Sequence, residues 1–440
     1  MTVRRLLLTL TPLLILCLSA APAPAETVVE AWRGGGFNRP YSVSVNPTDG
    51  SCWVADTNNN QVVHLADDGA ELWRSPGYPT FNFPHSVSVN PTDGSCWVAD
   101  HWHHQVVHLA ENGAELWRGG AFRGPVSVSV NPTDGSCWVA DNNNHQVVHL
   151  AEDGAELWRS SGYPTFYYPS FVSVNPTDGS CWVDDHYNHQ VVHLAENGAE
   201  LWRGGGFNKP MGVSVNPTDA SCWVANTYNS QVVHLAADGA ELWRGGGFHA
   251  PRVVSVNPTD GSCWVSDYGN NQVVHLAEDG AELWRGGGFY CPFSVSVNRS
   301  DGSCWVADSG NNQVVHLTVA PEYCFLGFLP PLADDSKRVF KRGSTVPIKF
   351  RITDCSGSSV SDAIATLTVY YYGEGAPSGE AEVVSTAAGD WGDQFRYDAE
   401  DDLYIFNLST KRCEWLDWWT FEIVVTLDDG QEFTQTFSLK

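Results

Sequence analysis

Six histidines crowd into three short stretches of this 440-residue chain: His101, His103 and His104 together, then His145, then His186 and His189. Neutral imidazole ligates zinc or copper and exchanges a proton near neutral pH, so metal coordination and general acid–base work are both open to such a cluster. A metal-dependent lyase or hydrolase is one reading of it. Two features weigh against that reading. No H-x-x-x-H helix or C-x-x-C pair fixes a geometry, and Asn fills the matching positions elsewhere. A coordination sphere demands fixed ligands, whereas a varied surface does not. No metal, cofactor or catalytic residue is therefore assigned. Aromatic residues accompany the histidines: Tyr78, Phe81, Phe83 and His85 before the first stretch, Trp102 within it, Tyr163, Phe166, Tyr167 and Tyr168 before the last, and Tyr187 within that. Exposed clustered aromatics mark contact surfaces, because they offer large rigid area that water solvates poorly. The alternative is that these aromatics pack on one another. All sixteen residues are candidates for a binding face.

A repeat positions them. SCWVAD or a close variant recurs with its Cys at 52, 96, 137, 181, 222, 263 and 304, at spacings of 44, 41, 44, 41, 41 and 41 residues. Each unit reads as four short strands: a (SVSVN), b (SCWVAD), c (QVVHLA) and d (GAELWRGG). Four strands in about 40–45 residues is the signature of a β-propeller blade. The a–b turn (NPTDGS) and the c–d turn (AEDGAE) hardly change, while the b–c and d–a loops change almost everywhere. In an up-and-down blade these two loop classes leave from opposite faces, so one face is uniform and the other diversified on a fixed scaffold. The two 44-residue spacings come from longer d–a loops, the ones that carry Tyr78 to His85 and Tyr163 to Tyr168.

Thr27 to Arg33 (TVVEAWR) reads as a d strand with nothing before it, and the seventh unit lacks its own d strand. The N-terminal segment is thus expected to complete the seventh blade, which removes two exposed sheet edges. The residues that recur in every unit read as structural. They are the Trp53 and Trp73 series, the His64 series and the Asp56 series with Asn226 standing in once, the last as side-chain braces for the b–c turn. GGGF at Gly34 to Phe37 recurs at the end of strand d, so it is a backbone feature. There is no G-x-S-x-G elbow and no phosphate-cradling loop.

Strands b and c carry V-A-D-x-x-x-N-Q-V-V-H, as in Val54-Ala55-Asp56 through Asn60-Gln61-Val62-Val63-His64. This resembles the NHL repeat over residues 27 to 317. The resemblance implies a propeller; since NHL-type propellers include secreted binding proteins, RNA-binding platforms and a few lyases, it implies no single activity. Residues 318–440 resemble the PxKF domain in Gly343-Ser344-Thr345-Val346-Pro347-Ile348-Lys349-Phe350, Tyr404-Ile405-Phe406-Asn407-Leu408 and Thr436-Phe437-Ser438-Leu439-Lys440. That resemblance implies a small immunoglobulin-like β-sandwich without catalysis. The alternation in Ala365 to Val369 and Phe421 to Val425 agrees with half-buried strands. Cys413 to Trp419 departs from the pattern and serves either as a contact loop or as a lid.

The fold expected is all-β: a signal peptide over 1–25, a seven-bladed propeller over 26–317, and a connector plus sandwich over 318–440. Arg4 and Arg5, the apolar run to Leu18 and Ala23-Pro24-Ala25 carry the secretory reading. No later stretch is apolar enough to span a bilayer. A net charge of −27 argues against nucleic acid, whose phosphates need a basic surface. The seven strand-b cysteines occupy equivalent positions on separate blades, too far apart to bridge, and read as small buried hydrophobes. Cys355 and Cys413 are the expected disulfide; Cys291 and Cys324 are left unassigned. The protein expected is thus a secreted, monomeric, non-catalytic binding protein whose partner is an extracellular protein, peptide or glycan.

Overall fold

Alternating Val and Ser in strand a, and β-branched pairs in strands b and c, suit pleated strands buried on both faces. A computed structural model describes residues 26–319, 323–332, 339–341, 343–354, 359–361, 363–372, 379–381, 393–410, 420–427 and 431–439. The chain is all-β, and repeated four-stranded antiparallel sheets stand in a propeller-like arrangement. In the first, strands Ser42–Val45, Cys52–Asp56, Gln61–Leu65 and Glu71–Arg74 follow one another as neighbours. The same order recurs through the repeat, seven such sheets in all between residues 28 and 319. A single turn of 3-10 helix joins b to c in each, the first at Thr57–Asn59. The expected signal segment, Cys355, Cys413 and the rest of the Cys413 to Trp419 loop lie outside the described residues.

The N-terminal strand Val28–Gly34 pairs antiparallel with Gln313–Val319, taking the outer place in the last repeat sheet. Its Trp32 sits 5.7 Å from Trp305, as Trp73 sits 5.8 Å from Trp53, so it copies a d strand in packing as well as in pairing. Strand c of this sheet runs to Val319, two residues beyond the repeat.

Sheets pack on each other through period-2 alternation in strand b. Cys52 and Val54 face one neighbour and meet Trp305 and Ala307; Trp53 and Ala55 face the other and meet Cys96 and Val98. All seven strand-b cysteines are buried free thiols, and burial raises their pKa values. His64 stacks on Trp53 at 4.3 Å, and its Nε2 meets Ser51 Oγ at 3.0 Å. Strand a is the inner edge of each sheet, so half of its N–H groups lack a ladder partner. Serines of the preceding sheet accept them. Val89 N–H bonds Ser44 Oγ at 3.0 Å, Val130 bonds Ser88 at 3.0 Å and Val174 bonds Ser129 at 3.1 Å. Val215, Val256 and Val297 bond Ser173, Ser214 and Ser255, and Val45 bonds Ser296. That last bond joins the last repeat to the first and closes the circuit.

Beyond residue 322 two further sheets share one core, in which Val346, Ile348 and Phe350 meet Leu367, Phe421, Ile423 and Val425. Thr345–Asp354 and Leu403–Ser409 pair in one sheet; Ala365–Tyr372, Thr420–Leu427 and Glu432–Leu439 are successive partners in the other.

Candidate functional site

The b–c turn is pinned by its Asp. Asp56 Oδ1 accepts the Asn38 N–H at 2.7 Å, while Oδ2 takes Asn59 Nδ2 at 2.9 Å and Arg74 Nη1 at 3.4 Å. One buried carboxylate thereby ties the b–c turn, the d–a loop and strand d together; Asp141, Asp185 and Asp308 repeat the bond to the d–a loop.

This frame absorbs most of the histidines. His103 donates Nδ1–H to Asp100 Oδ2 at 2.8 Å, the place Asn59 fills at Asp56. His104, His145 and His189 hold the left-handed residue that ends each 3-10 turn, with φ of 58°. Their Nδ1 atoms accept N–H groups of Gly124 at 3.0 Å, Tyr168 at 3.2 Å and Lys209 at 3.1 Å. Asn60, Asn271 and Asn312 do the same through Oδ1, for Phe83, Cys291 and Arg39. Asn and His interchange here because both tolerate this backbone and both present a short acceptor. His101 and His186 instead donate Nδ1–H to the carbonyls of Pro125, at 3.2 Å, and Pro210, at 2.9 Å. Burial lowers the pKa of both. Among the described residues no group of three or more His, Cys, Asp or Glu side chains is placed to hold a metal ion.

The aromatic candidates divide. Tyr78, Tyr163, Trp102 and Tyr187 are exposed, and Phe83 stacks on Trp102 at 4.5 Å. Tyr167 and Tyr168 lie 5.5 and 5.2 Å from Tyr187. Phe81 and Phe166 do not belong to this surface. Both are 1 % exposed and sit in the core between sheets, under the guanidinium groups of Arg118 and Arg203. Each lies fifteen residues before its strand-b Cys, in register with Phe37, Phe122, Phe207, Phe248 and Phe289, which are also buried. The longer loop adds its residues upstream of that column and leaves the column in place.

Between the two aromatic groups opens a pocket of about 580 Å³. Its wall takes one residue from each repeat, the one eleven positions before the Cys: Tyr41, His85, Val126, Ser170, Met211, Arg252 and Phe293. Asn142, Tyr168, His186 and Tyr187 add to it from the loops. The Arg252 guanidinium lies over Phe293 at 3.8 Å and Tyr268 at 4.9 Å, and Tyr41 stacks on Phe293 at 4.2 Å. Burial lowers the Arg252 pKa, but a guanidinium stays charged at any physiological pH. His85 donates Nδ1–H to the Val126 carbonyl at 2.8 Å, and burial drops its pKa to about 3, so the ring is neutral with Nε2 as acceptor.

Two further residues shape this mouth where the repeat has Ala. Asp184 Oδ1 accepts the N–H of Ser170 at 2.8 Å, its hydroxyl at 2.9 Å and the N–H of Phe171 at 2.6 Å. Its Oδ2 is buried without a partner, and burial pushes its pKa up to about 8. Ser266 Oγ accepts the Val253 N–H at 2.9 Å. Between them a Cβ on Gly212 would stand 2.4 Å from the Arg252 carbonyl oxygen, so only glycine lets that segment approach. Phe171 reaches past it to pack against the cluster that contains Val253. The sequence reading picked out His85 of the seven wall residues and none of Arg252, Asp184, Ser266 or Gly212. The signal was present: the column before strand a holds seven different residue types, and the Ala column of strand b is broken by Asp184 and Ser266.

The NHL repeat family model matches residues 81–109 and 122–150. No curated protein matches the sequence. Among solved structures, virginiamycin B lyase from Staphylococcus aureus superposes with a TM-score of 0.55 at 15% identity, over 66% of this chain and 99% of that one. A catalytically inactive variant of that lyase with quinupristin gives 0.56 at 15%, over the same shares of the two chains. Hydrazine synthase from Kuenenia stuttgartiensis gives 0.57 at 13%, over 65% of this chain and 97% of that one. At such identities the likeness is one of fold: these are propeller-like proteins, and this chain carries NHL repeats on the same architecture.

Proposed function

We propose that the chain is a secreted, non-catalytic binding protein. In this reading residues 1–25 are a signal peptide, 26–317 form a seven-bladed NHL-like propeller, and 318–440 form a connector and a PxKF-like immunoglobulin-like sandwich. The binding surface is the face of b–c and d–a loops, working as a monomer on an extracellular protein, peptide or glycan. One observation carries the reading. The repeats keep their packing residues column by column, yet the wall of the pocket differs in every repeat. Catalysis by the histidines has less support, since His103, His104, His145 and His189 spend Nδ1 on the scaffold's own groups. Glycan and protein arrays probed with the mature full chain test this. Replacing Tyr78, Phe83, Trp102, Tyr163 and Tyr187 together by Ser is expected to abolish capture and leave the far-UV spectrum unchanged. Capture that survives that change, and is lost on altering the NPTDG turns, puts the binding surface on the opposite face.

A further inference from the structure

Arg252 is the one permanently charged residue lining the pocket, in a chain with 51 acidic and 24 basic residues, and no carboxylate shares the wall with it. No ion pair reaches it among the described residues; its Nη2 contact is with Met211 Sδ at 3.8 Å. Phe293 and Tyr268 hold the guanidinium by its face, which leaves its N–H edge to take a planar anion through two parallel bonds. The rest of the wall asks for donors. His85 and His186 have given Nδ1–H to backbone carbonyls and offer Nε2 lone pairs. Asn142 gives one Nδ2–H to the Pro169 carbonyl and offers Oδ1 as an acceptor. Tyr41, Tyr168 and Tyr187 supply flat apolar area with a polar tip. A ligand matching this set carries a carboxylate, several hydroxyl groups and a compact ring. The volume, about 580 Å³, lies within the range of about 300–1,000 Å³ of small-molecule sites.

Resting on the reading of this face as a binding surface, we propose that the pocket takes a hydroxylated ring carboxylate, the chemistry of an acidic sugar. The carboxylate pairs with Arg252, the hydroxyls reach His85, His186 and Asn142, and the ring lies against the tyrosines. Free sugar acids and the terminal residue of an acidic oligosaccharide share this chemistry. Half-exposed Tyr187 at the rim leaves room for the longer ligand.

Titration calorimetry on the full mature chain, with glucuronate, galacturonate, a glucuronate-terminated oligosaccharide, glucose and phenylacetate, tests the proposal. Acidic sugars are expected to bind at least tenfold tighter than glucose or phenylacetate. A gain on going from the free acid to the oligosaccharide identifies the terminal residue as the source; equal affinities identify the free acid. Arg252→Met is expected to remove the preference for the acid. Should that variant fail to fold, Met211→Glu places a carboxylate beside the Arg252 Nη2 without touching Arg252, and is expected to weaken acidic sugars more than tenfold and to remove their advantage over glucose. Absence of binding by every acidic sugar, equal or tighter binding of phenylacetate, or affinity unchanged in Met211→Glu would each overturn it. If array capture is still lost with the aromatic quintuple variant, the wider binding face stands and only the pocket's ligand is refuted.

Discussion

Asp184→Asn should make the protein more stable at neutral and alkaline pH, by an amount that grows with pH. In the native state the carboxyl is buried, accepts three hydrogen bonds at Oδ1 and leaves Oδ2 unpartnered. Burial outweighs those bonds and raises its pKa to about 8; in the unfolded chain it returns to about 3.9. Between these values the native state binds more protons than the unfolded state, so stability falls as pH rises through the window. The slope approaches about 1.36 kcal/mol per pH unit, which makes about 2.7 kcal/mol between pH 5 and pH 7. Asn keeps the Oδ1 acceptor for Ser170 and Phe171 and cannot ionise. The difference between variant and wild type cancels the titration of the many other carboxylates. Urea midpoints of both proteins at pH 5, 6, 7, 8 and 9 read it directly. The curves should separate steadily to about pH 8 and then run parallel, with a gap in melting temperature of about 4–5 °C opening between pH 5 and 7. Profiles that stay parallel within about 0.5 kcal/mol from pH 5 to 8 would show that the site ionises freely, and the argument from burial would fail.

Deleting residues 26–34 removes the strand paired to Gln313–Val319 and the Trp32 contact with Trp305. With a large aromatic worth about 3–5 kcal/mol by itself, the melting temperature should drop by about 5 °C or more, and an unchanged value would mean that the ring does not depend on this closure. Replacing His104, His145 and His189 together by Asn should change stability by less than about 0.5 kcal/mol, because Asn60, Asn271 and Asn312 already accept the same backbone bond. The same three positions as Ala should each lose about 1 kcal/mol, measured by urea unfolding. An Asn variant as damaged as the Ala variant would point to a further role for the imidazoles.

The architecture was legible in the chain because its causes are local and repeated. Alternation in SVSV and CWVAD sets which side chains enter the spaces between sheets, and Asp-Gly and Asn-Gly turns set the hairpins. Thr27 to Arg33 could be assigned as the displaced outer strand because its Glu30, Trp32 and Arg33 fall where the six other d strands carry Glu, Trp and Arg, as at Glu71, Trp73 and Arg74. The Trp, His and Asp columns likewise read as structural from recurrence alone. The burial of Phe81 and Phe166 was also in the sequence, fifteen residues before each Cys, but grouping them with the longer loops hid the register. What the chain could not reveal by itself is which column faces the pocket. Tyr41, Ser170, Arg252 and Phe293 are separated by 41 residues or more, and each alone looks like an unremarkable residue before a strand. They meet only because the inner strands converge, with the Ser296 hydroxyl of the last repeat accepting the Val45 N–H of the first. Convergence also decides their chemistry. It strips water from His85 and Asp184, stacks Arg252 on Phe293, and requires Gly212 where two segments cross. Distance in sequence carries no information about such encounters; the angle at which the ring closes does.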